Sequence, residues 1–290
     1  MTPISTLSLV VPVYNEEDNL PILFAEIACA MRDTGKAWQV LFVNDGSTDQ
    51  SLDAIQRLAA EHDTVRYLSF AQNCGQSAAF KAGFDAATGD VIITMDADLQ
   101  NDPADIPHML TEYEKGYDMV IGWRANRQDS LTKKLVSRIG NTLRNWLSQE
   151  TVRDTGCSLK IMRTDMAQRI PMFTGMHRFL PTLMKMQGAS VAEIRVHHRP
   201  RQHGISKYGV WDRLKATTFD LLAIRWMKKR AIRYTIAAHN LPASHVGNQT
   251  SPAMNSTLHT GSHMDPSCSG CRCDSSAAHC GDAASPPAKS

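Results

Sequence analysis

Several common kinds of sequence are missing from this chain. No stretch approaches the ~18 to 20 consecutive apolar residues that a membrane-spanning helix needs. The first predicted strand is followed neither by the G-x-G-x-x-G of dinucleotide-binding folds nor by the G-x-x-x-x-G-K-[ST] of P-loop enzymes, which argues against hydride transfer and ATP hydrolysis. Residues 1–13 are too short and too soon interrupted for a secretory signal. We therefore expect a protein that is soluble or peripheral to a membrane.

Cysteine is scarce before residue 237, where only Cys29, Cys74 and Cys157 occur. Their wide separation gives neither a disulfide framework nor the spacing of a metal site, so a reducing compartment is the simplest inference. Residues 237–290 are rich in Ser, Ala, Pro and His, and we expect them to be a disordered tail after a single domain at residues 1–236. Within the tail, Gly-Ser-His-Met at residues 261–264 resembles a sequence left by an expression vector. The four cysteines of the tail lack an apolar core around them, so we predict no zinc site there.

Strand and helix patterns alternate in the first half of the chain. Runs rich in β-branched residues predict five strands, at residues 7–13, 38–43, 65–70, 91–96 and 118–121. Helical patterns lie between them, at residues 15–32, 51–61, 76–87 and 103–115. This alternation predicts an α/β fold with a mostly parallel sheet flanked by helices. Further on, we predict a helix at 130–147, an extended segment at 190–197 and an amphipathic helix at 210–229.

The most informative polar residues directly follow the fourth predicted strand. Asp96 and Asp98 come after a buried apolar run, with Gln100 close behind. Ligands of open α/β sheets bind outside the carboxyl ends of the strands, and closely spaced oxygen donors suit Mg²⁺ or Mn²⁺. Asp102, which precedes a proline, is explained more simply as a helix N-cap. We therefore predict that Asp96, Asp98 and Gln100 hold a divalent metal ion that clamps a phosphate.

Polar residues also follow the first two predicted strands, at Tyr14, Glu16 and Asp45. Because strand ends at a topological switch point form one crevice, these side chains should face the same ligand. Taken singly, Glu16 could be a carboxylate in the first turn of a helix, and Asp45 could be a turn or capping residue. Together they favour a nucleotide held by carboxylates and a metal.

Three motifs occur in order along the chain: Val-Val-Pro-Val-Tyr-Asn-Glu-Glu at residues 10–17, Val-Asn-Asp-Gly-Ser-Thr-Asp at 43–49 and Met-Asp-Ala-Asp-Leu-Gln at 95–100. They resemble the family 2 inverting glycosyltransferases of Rossmann-like GT-A fold, most closely the branch of dolichyl-phosphate mannose synthase and bacterial polyprenyl-phosphate glycosyltransferases. The resemblance covers about residues 5–233. It implies a nucleoside-diphosphate sugar donor and a metal that neutralises the leaving diphosphate. It places the base and ribose near Pro12, Tyr14, Glu16 and Asp45.

A fourth motif, Arg-Gln-His-Gly-Ile-Ser-Lys-Tyr at residues 201–208, matches the R-x-x-G-x-S-K-Y loop of the same family. Arg201 would offer a planar fork to phosphate oxygens, and Lys207 a mobile point charge. With Ser206 and Tyr208, they would bind the donor diphosphate or an acceptor phosphate. The alternative is a basic surface turn.

Asp154 stands where related enzymes carry an acidic residue near the acceptor. A sugar hydroxyl needs a general base, whereas a lipid phosphate, with a second pKa near ~6, is already an anion at neutral pH. Asp154 is therefore a candidate base for a hydroxyl acceptor; with a phosphate acceptor it would orient the acceptor or a basic partner. Arg124 is a candidate phosphate ligand. Asp98 and Lys207 complete the predicted catalytic set.

Basic residues concentrate near the end of the predicted domain. Residues 211–233 place leucine and tryptophan among basic side chains, a composition suited to a helix in a membrane interface. Packing against the domain is the alternative for the first half of this helix. The transmembrane helices that many members of the branch carry after the catalytic domain are absent from the sequence. We expect an anionic membrane surface or a membrane partner to contact the basic residues Arg225, Lys228, Lys229, Arg230 and Arg233.

The leading hypothesis is a metal-dependent inverting glycosyltransferase that uses polyprenyl phosphate at the cytoplasmic face of a membrane. One alternative is transfer to a saccharide hydroxyl in surface polysaccharide or lipopolysaccharide synthesis, and another is a non-catalytic nucleotide-sugar binding protein. The Q-x-x-R-W signature of processive polysaccharide synthases is missing, which argues against polymerisation. We do not expect nucleic-acid binding, because no aromatic stacking platform accompanies the basic residues.

Overall fold

The computed structural model describes residues 4–125, 152–200 and 210–230. Its strands are β1 Thr6–Val13, β2 Ala37–Asn44, β3 Val65–Ser69, β4 Val91–Thr94, β5 Met119–Trp123, β6 Lys160–Arg163 and β7 Val191–Arg195. They form one sheet in the order β3-β2-β1-β4-β6-β5-β7. All neighbouring pairs are parallel except those of β6, which runs antiparallel to both β4 and β5. The mostly parallel α/β sheet predicted from the sequence is confirmed.

Helices cover both faces of this sheet. They are α1 Leu20–Arg32, α2 Ser51–Glu61, α3 Gln76–Ala86, α4 Ile106–Tyr113, α5 Thr164–Gln168, α6 Leu180–Met186 and α7 Val210–Arg230. One core cluster joins α1, α2 and α4 to one face, and a second joins α3, α5, α6 and α7 to the other. The central strand β1 is buried on both faces, because Leu9 enters the first cluster and Val10 the second. Burial on both faces explains why β1 reads as a continuous apolar run.

Element boundaries differ from the sequence prediction at two functional loops. The helix predicted from residue 15 begins at Leu20, and Asn15, in the left-handed conformation with φ 55°, lies in the turn before it. Strand β4 ends at Thr94, so Asp96 and Asp98 lie in the loop after the strand. The predicted N-cap is confirmed, since Asp102 Oδ1 accepts a hydrogen bond of 3.0 Å from the Ala104 N–H.

Sequence analysis missed β6, the strand between β4 and β5. Its four residues are too few to show a period, and its antiparallel pairing with both neighbours depends on tertiary contacts. The helices α5 and α6 were missed because they are also too short to show a helical period. The predicted extended segment at 190–197 is the edge strand β7. The predicted helix at 130–147, the loop at 201–208 and the tail at 237–290 lie outside the described residues.

The predicted helix near the end of the domain is present as α7, but its apolar side chains do not share one face. Leu221 and Ile224 are buried in the second core cluster, whereas Phe219, Leu222 and Trp226 are exposed. The helix therefore packs on the domain and also presents apolar groups outward. No helix among the described residues combines the length and apolar character required to cross a bilayer.

Candidate functional site

The candidate site lies at the carboxyl ends of β1, β2 and β4. These strands are parallel neighbours, with Val13 opposite Asn44 and Val10 opposite Thr94, so their ends share one edge of the sheet. The strand ends and the loops that follow them carry three groups of predicted site residues: Pro12, Tyr14 and Glu16 at β1, Asp45 at β2, and Asp96, Asp98 and Gln100 at β4. The fold thus brings together the three strand ends that the sequence singles out.

The carboxylates after β4 are held by a tight turn. Asp96 Oδ1 accepts a hydrogen bond of 2.7 Å from Gln76 Nε2, and the Asp96 N–H donates to Ser158 Oγ at 3.3 Å. Asp98 is buried, and its Oδ1 accepts from the Gln100 N–H at 3.2 Å. Between Asp98 and Gln100, Leu99 has φ 59°, an unfavourable conformation for a bulky side chain, which its burial in the core holds in place. The backbone is therefore strained directly after the buried carboxylate of Asp98.

Charged side chains of both signs lie near Asp96. Burial and, after it, the neighbouring Asp98 carboxylate raise the pKa of Asp96 to about 6. Lys160 and Arg124 oppose the shift electrostatically. With Asp154, the charged side chains of this group within the described residues are three carboxylates and two cations, which sum to one net negative charge when all are ionised. A cation bound beside Asp96 would relieve this excess.

The donor set at this edge fits a divalent ion that shares its coordination with a substrate. Within the described residues, no three His, Cys, Asp or Glu side chains form a metal cluster. Mg²⁺ is often bound through one or two protein carboxylates, with water and substrate phosphates completing its shell. The half-buried Asp96 and the buried Asp98, which repel each other, suit such an ion. Gln100 adds its backbone to the turn, because its carbonyl oxygen accepts from the Arg199 N–H at 2.9 Å.

Asp45 anchors the loop that precedes α3. Its Oδ1 accepts from the Cys74 N–H at 2.6 Å, and its Oδ2 from the Gly75 N–H at 2.9 Å and from Asn73 Nδ2 at 3.0 Å. This loop leads directly to Gln76, the residue that binds Asp96. The end of β2 is thereby connected to the carboxylates after β4.

Glu16 forms hydrogen bonds that stabilise the loop between β1 and α1. Its Oε2 accepts from Asn19 Nδ2 at 2.6 Å, and its N–H donates to Ser51 Oγ at 2.8 Å. Just before it, the Asn15 N–H donates to Ser47 Oγ at 3.0 Å. These bonds join the loops after β1 and β2 into one surface beside Tyr14.

Arg124 and Asp154 form a buried ion pair. Arg124 Nε donates to Asp154 Oδ2 at 2.8 Å and its NH2 group to Oδ1 at 3.0 Å, while the two side chains are only 12% and 10% exposed. The backbone N–H of Asp154 donates to Glu193 Oε1 on β7 at 3.2 Å. This two-pronged geometry fixes the guanidinium plane. The predicted phosphate ligand and the predicted base are therefore partners.

Residues 8–170 match the model of glycosyl transferase family 2. The chain belongs to that family. As such it is a nucleotide-sugar-dependent glycosyltransferase, in agreement with the resemblance drawn from the three motifs.

Curated relatives of this family 2 glycosyltransferase align over most of its length. The dodecaprenyl-phosphate galacturonate synthase of Rhizobium johnstonii is 39% identical over 78% of this chain and 68% of that protein. The undecaprenyl-phosphate 4-deoxy-4-formamido-L-arabinose transferase of Salmonella paratyphi A is 38% identical over 76% of this chain and 67% of that protein.

A solved structure shows the same fold. It is glucosyl-3-phosphoglycerate synthase from Mycobacterium tuberculosis with Mn²⁺, UDP-glucose and phosphoglyceric acid, and it matches with a TM-score of 0.57 and 16% identity over 79% of this chain and 81% of the other. The seven-stranded sheet is thus that of the GT-A glycosyltransferases.

Sequence reasoning missed three residues that the glycosyltransferase fold brings to Asp96: Gln76, Ser158 and Lys160. Gln76 and Ser158 form hydrogen bonds with Asp96, and Lys160 acts on it electrostatically. Lys160 is buried and donates to the Cys157 carbonyl oxygen, and burial lowers its pKa. The one available signal was a lysine between the apolar residues Leu159 and Ile161, whereas Gln76 and Ser158 carry none. The predicted residues Arg201, Ser206, Lys207 and Tyr208 lie outside the described residues.

Proposed function

We propose that this glycosyltransferase moves a sugar from a nucleoside-diphosphate sugar to a polyprenyl phosphate, with inversion and with the help of Mg²⁺ or Mn²⁺. The observation that carries the proposal is the pair of carboxylates after β4, half-buried Asp96 and buried Asp98, in a chain 39% identical to a dodecaprenyl-phosphate galacturonate synthase. Two curated relatives are named for polyprenyl-phosphate substrates, and their sugars differ. The proposal therefore specifies the acceptor class and leaves the sugar open.

On the donor side, we assign the nucleoside to Pro12, Tyr14, Glu16 and Asp45. Asp96, Asp98 and Gln100 would hold the metal, as the Mn²⁺ and UDP-glucose in the M. tuberculosis enzyme support. When bound, such an ion neutralises the charge that develops on the leaving nucleoside diphosphate. Arg201, Ser206, Lys207 and Tyr208 are proposed to bind phosphate oxygens.

On the acceptor side, the Arg124–Asp154 pair supports a phosphate nucleophile. A phosphate is an anion at neutral pH and needs no base, whereas a sugar hydroxyl would need one. Both Asp154 oxygens accept hydrogen bonds from Arg124. We therefore assign Arg124 to bind the acceptor phosphate and Asp154 to orient Arg124.

Polyprenyl phosphate is held in a bilayer, so the proposed reaction takes place at a membrane surface. We propose that the protein is peripheral at the inner face of the cytoplasmic membrane. The basic residues of α7 support contact with anionic lipid: Arg225, Lys228, Lys229 and Arg230. Arg233 of the predicted basic set lies outside the described residues.

A donor panel tests the proposed reaction. The protein is incubated with Mn²⁺, undecaprenyl phosphate and each of several radiolabelled UDP- and GDP-sugars, and the products are extracted into organic solvent. We expect label in the organic phase for at least one donor, and none after chelation of the metal. Asp90→Ala, at the opposite end of β4, is the matched control and should keep the full rate. Label that never enters the organic phase contradicts the acceptor, and transfer that survives chelation contradicts the metal.

A further inference from the structure

Helix α7 presents an apolar stripe to its surroundings. Phe219, Leu222 and Trp226 are 75%, 53% and 65% exposed. At about 100° of rotation per residue, these three side chains fall within about 60° of one another around the helix. Leu221 and Ile224, which are buried against the domain, lie on the opposite side. The stripe is therefore the outward face of a helix already anchored through its inward face.

This stripe differs from the other exposed apolar residues of the described chain. The remaining large ones are Ile22, Tyr67 and Phe173, which are about 40% exposed and lie on separate parts of the fold. Single exposed apolar residues are normal on soluble proteins, whereas a contiguous patch indicates a partner. Only α7 carries such a group within the described part of the chain.

Basic residues surround the stripe at its C-terminal end. Lys229 and Arg230 are exposed, and by the same rotation they lie on either side of Trp226. Arg225 and Lys228 add two more cations, and residues 221–230 include no Asp or Glu. Apolar and aromatic groups flanked by Lys and Arg are typical of helices that lie in the headgroup region of anionic membranes.

We propose that Phe219, Leu222 and Trp226 insert into the surface of a bilayer that contains anionic lipid, while the neighbouring cations contact its headgroups. The stripe spans about 10 Å along the helix axis, which suits a helix lying in the plane of the interface. The choice of a bilayer rests on these charges and on the proposed function, whose acceptor carries a polyprenyl chain. The active protein would then be docked on the membrane by the outer face of α7.

Vesicle sedimentation of the full chain, without any substrate, tests this inference. We expect binding to phosphatidylcholine vesicles that contain phosphatidylglycerol, and much weaker binding to phosphatidylcholine alone. The triple variant Phe219→Ser/Leu222→Ser/Trp226→Ser should lower the partition coefficient by at least about tenfold. Lys229→Ser/Arg230→Ser should lower it by about tenfold at low salt and little at high salt. Tyr67→Ser is the matched apolar control and should bind as the wild type does.

Several outcomes would overturn the inference. One is equal binding of the triple variant and the wild type. Another is that the wild type is a dimer, that the triple variant is a monomer, and that neither protein binds vesicles. The stripe would then be a contact between two copies of the chain. Thermal melting checks that the variants are folded.

Transfer to undecaprenyl phosphate in detergent separates this inference from the proposed function. Transfer without vesicle binding contradicts only the docking surface, and vesicle binding without transfer contradicts only the proposed reaction.

Discussion

The two ends of β4 carry the same residue type with opposite electrostatics. At the amino end, Asp90 Oδ2 accepts hydrogen bonds of 2.9 Å from the backbone N–H groups of Ser5 and Thr6, which lower the pKa of Asp90 to about 2. At the carboxyl end, burial and the neighbouring Asp98 raise the pKa of Asp96 to about 6. One carboxylate is therefore stabilised as an anion by the fold, and the other is not.

This difference separates a structural carboxylate, Asp90, from Asp96, the one that we propose to be functional. Ionised Asp90 favours the folded protein, because the unfolded chain does not offer it the two N–H donors. Ionised Asp96 disfavours the folded protein until a cation binds beside it. Perturbed groups of the second kind cluster at ligand sites, since the ligand supplies the missing charge. Substitutions at the two ends should therefore affect different properties.

The largest effect is expected from Asp98→Ala at the carboxyl end. Loss of this proposed ligand, to an ion that would neutralise the leaving group, should lower the turnover rate by about a thousandfold or more. Steady-state transfer with the best donor of the panel measures this loss, and circular dichroism should show an intact fold. A variant that retains wild-type turnover would remove Asp98 from the metal site.

Next in size is the effect of breaking the buried pair beside the carboxylates. Arg124→Ala leaves Asp154 buried without its main partner and should lower the free energy of unfolding by about 3 kcal/mol. The double variant Arg124→Met/Asp154→Leu should lose less than Arg124→Ala, because no buried charge is left over. Urea denaturation of the variants measures both values. A double variant less stable than Arg124→Ala would show that the pair contributes more than it costs to bury.

A smaller effect concerns pH. Because the pKa of Asp96 is raised in the folded state, the metal-free protein should lose stability as pH rises from about 4 to about 6. Asp96→Asn lacks this loss and should be more stable than the wild type above pH 6, on the order of 2 kcal/mol. Urea denaturation across this pH range, with chelator, measures the difference. Parallel curves for the two proteins would contradict a raised pKa at Asp96.

The smallest effect is expected at the amino end of β4. Asp90→Ala removes the acceptor for Ser5 and Thr6 and should lower the free energy of unfolding by about 1 kcal/mol, with turnover unchanged. Its lowered pKa means that this contribution is present above pH about 4 and is lost as pH falls towards 2. Denaturation at pH 7 and pH 3, beside a turnover assay, checks the prediction. A large loss of turnover in Asp90→Ala would contradict the account, because a carboxylate at the amino end of β4 would then also be needed for the reaction.

Sequence reasoning located the carboxyl end of β4 because regular structure positions it. Polar residues that directly follow parallel strands lie at one edge of the sheet. The sequence alone therefore predicted that Asp45 and Asp96 belong to the same site. The anchoring of the loop at Asn73 and Gly75 by Asp45 could not be predicted, since it depends on the path of a turn. The cap at Asp102 was predictable because its partner lies two residues away.

Other parts of the molecule depend on contacts that leave no local pattern. The strand β6 pairs with β4, which is far away in sequence, and this pairing brings Lys160 close enough to Asp96 to act on it electrostatically. In α7, Leu221 and Leu222 are adjacent leucines, and only packing decides that the first is buried and the second exposed. The sequence pattern predicted an amphipathic helix with basic residues, whereas the apolar side chains of α7 lie on two opposite sides of the helix.

The binding of nucleoside diphosphates in the presence and absence of Mn²⁺ tests the central claim most directly. Isothermal titration with UDP and GDP requires no knowledge of the sugar or the acceptor. The account predicts that the wild type and Asp90→Ala bind at least one of the two in a Mn²⁺-dependent manner, and that Asp98→Ala does not. Equal binding by the wild type and Asp98→Ala, or binding that ignores Mn²⁺, would contradict a metal site at Asp96 and Asp98.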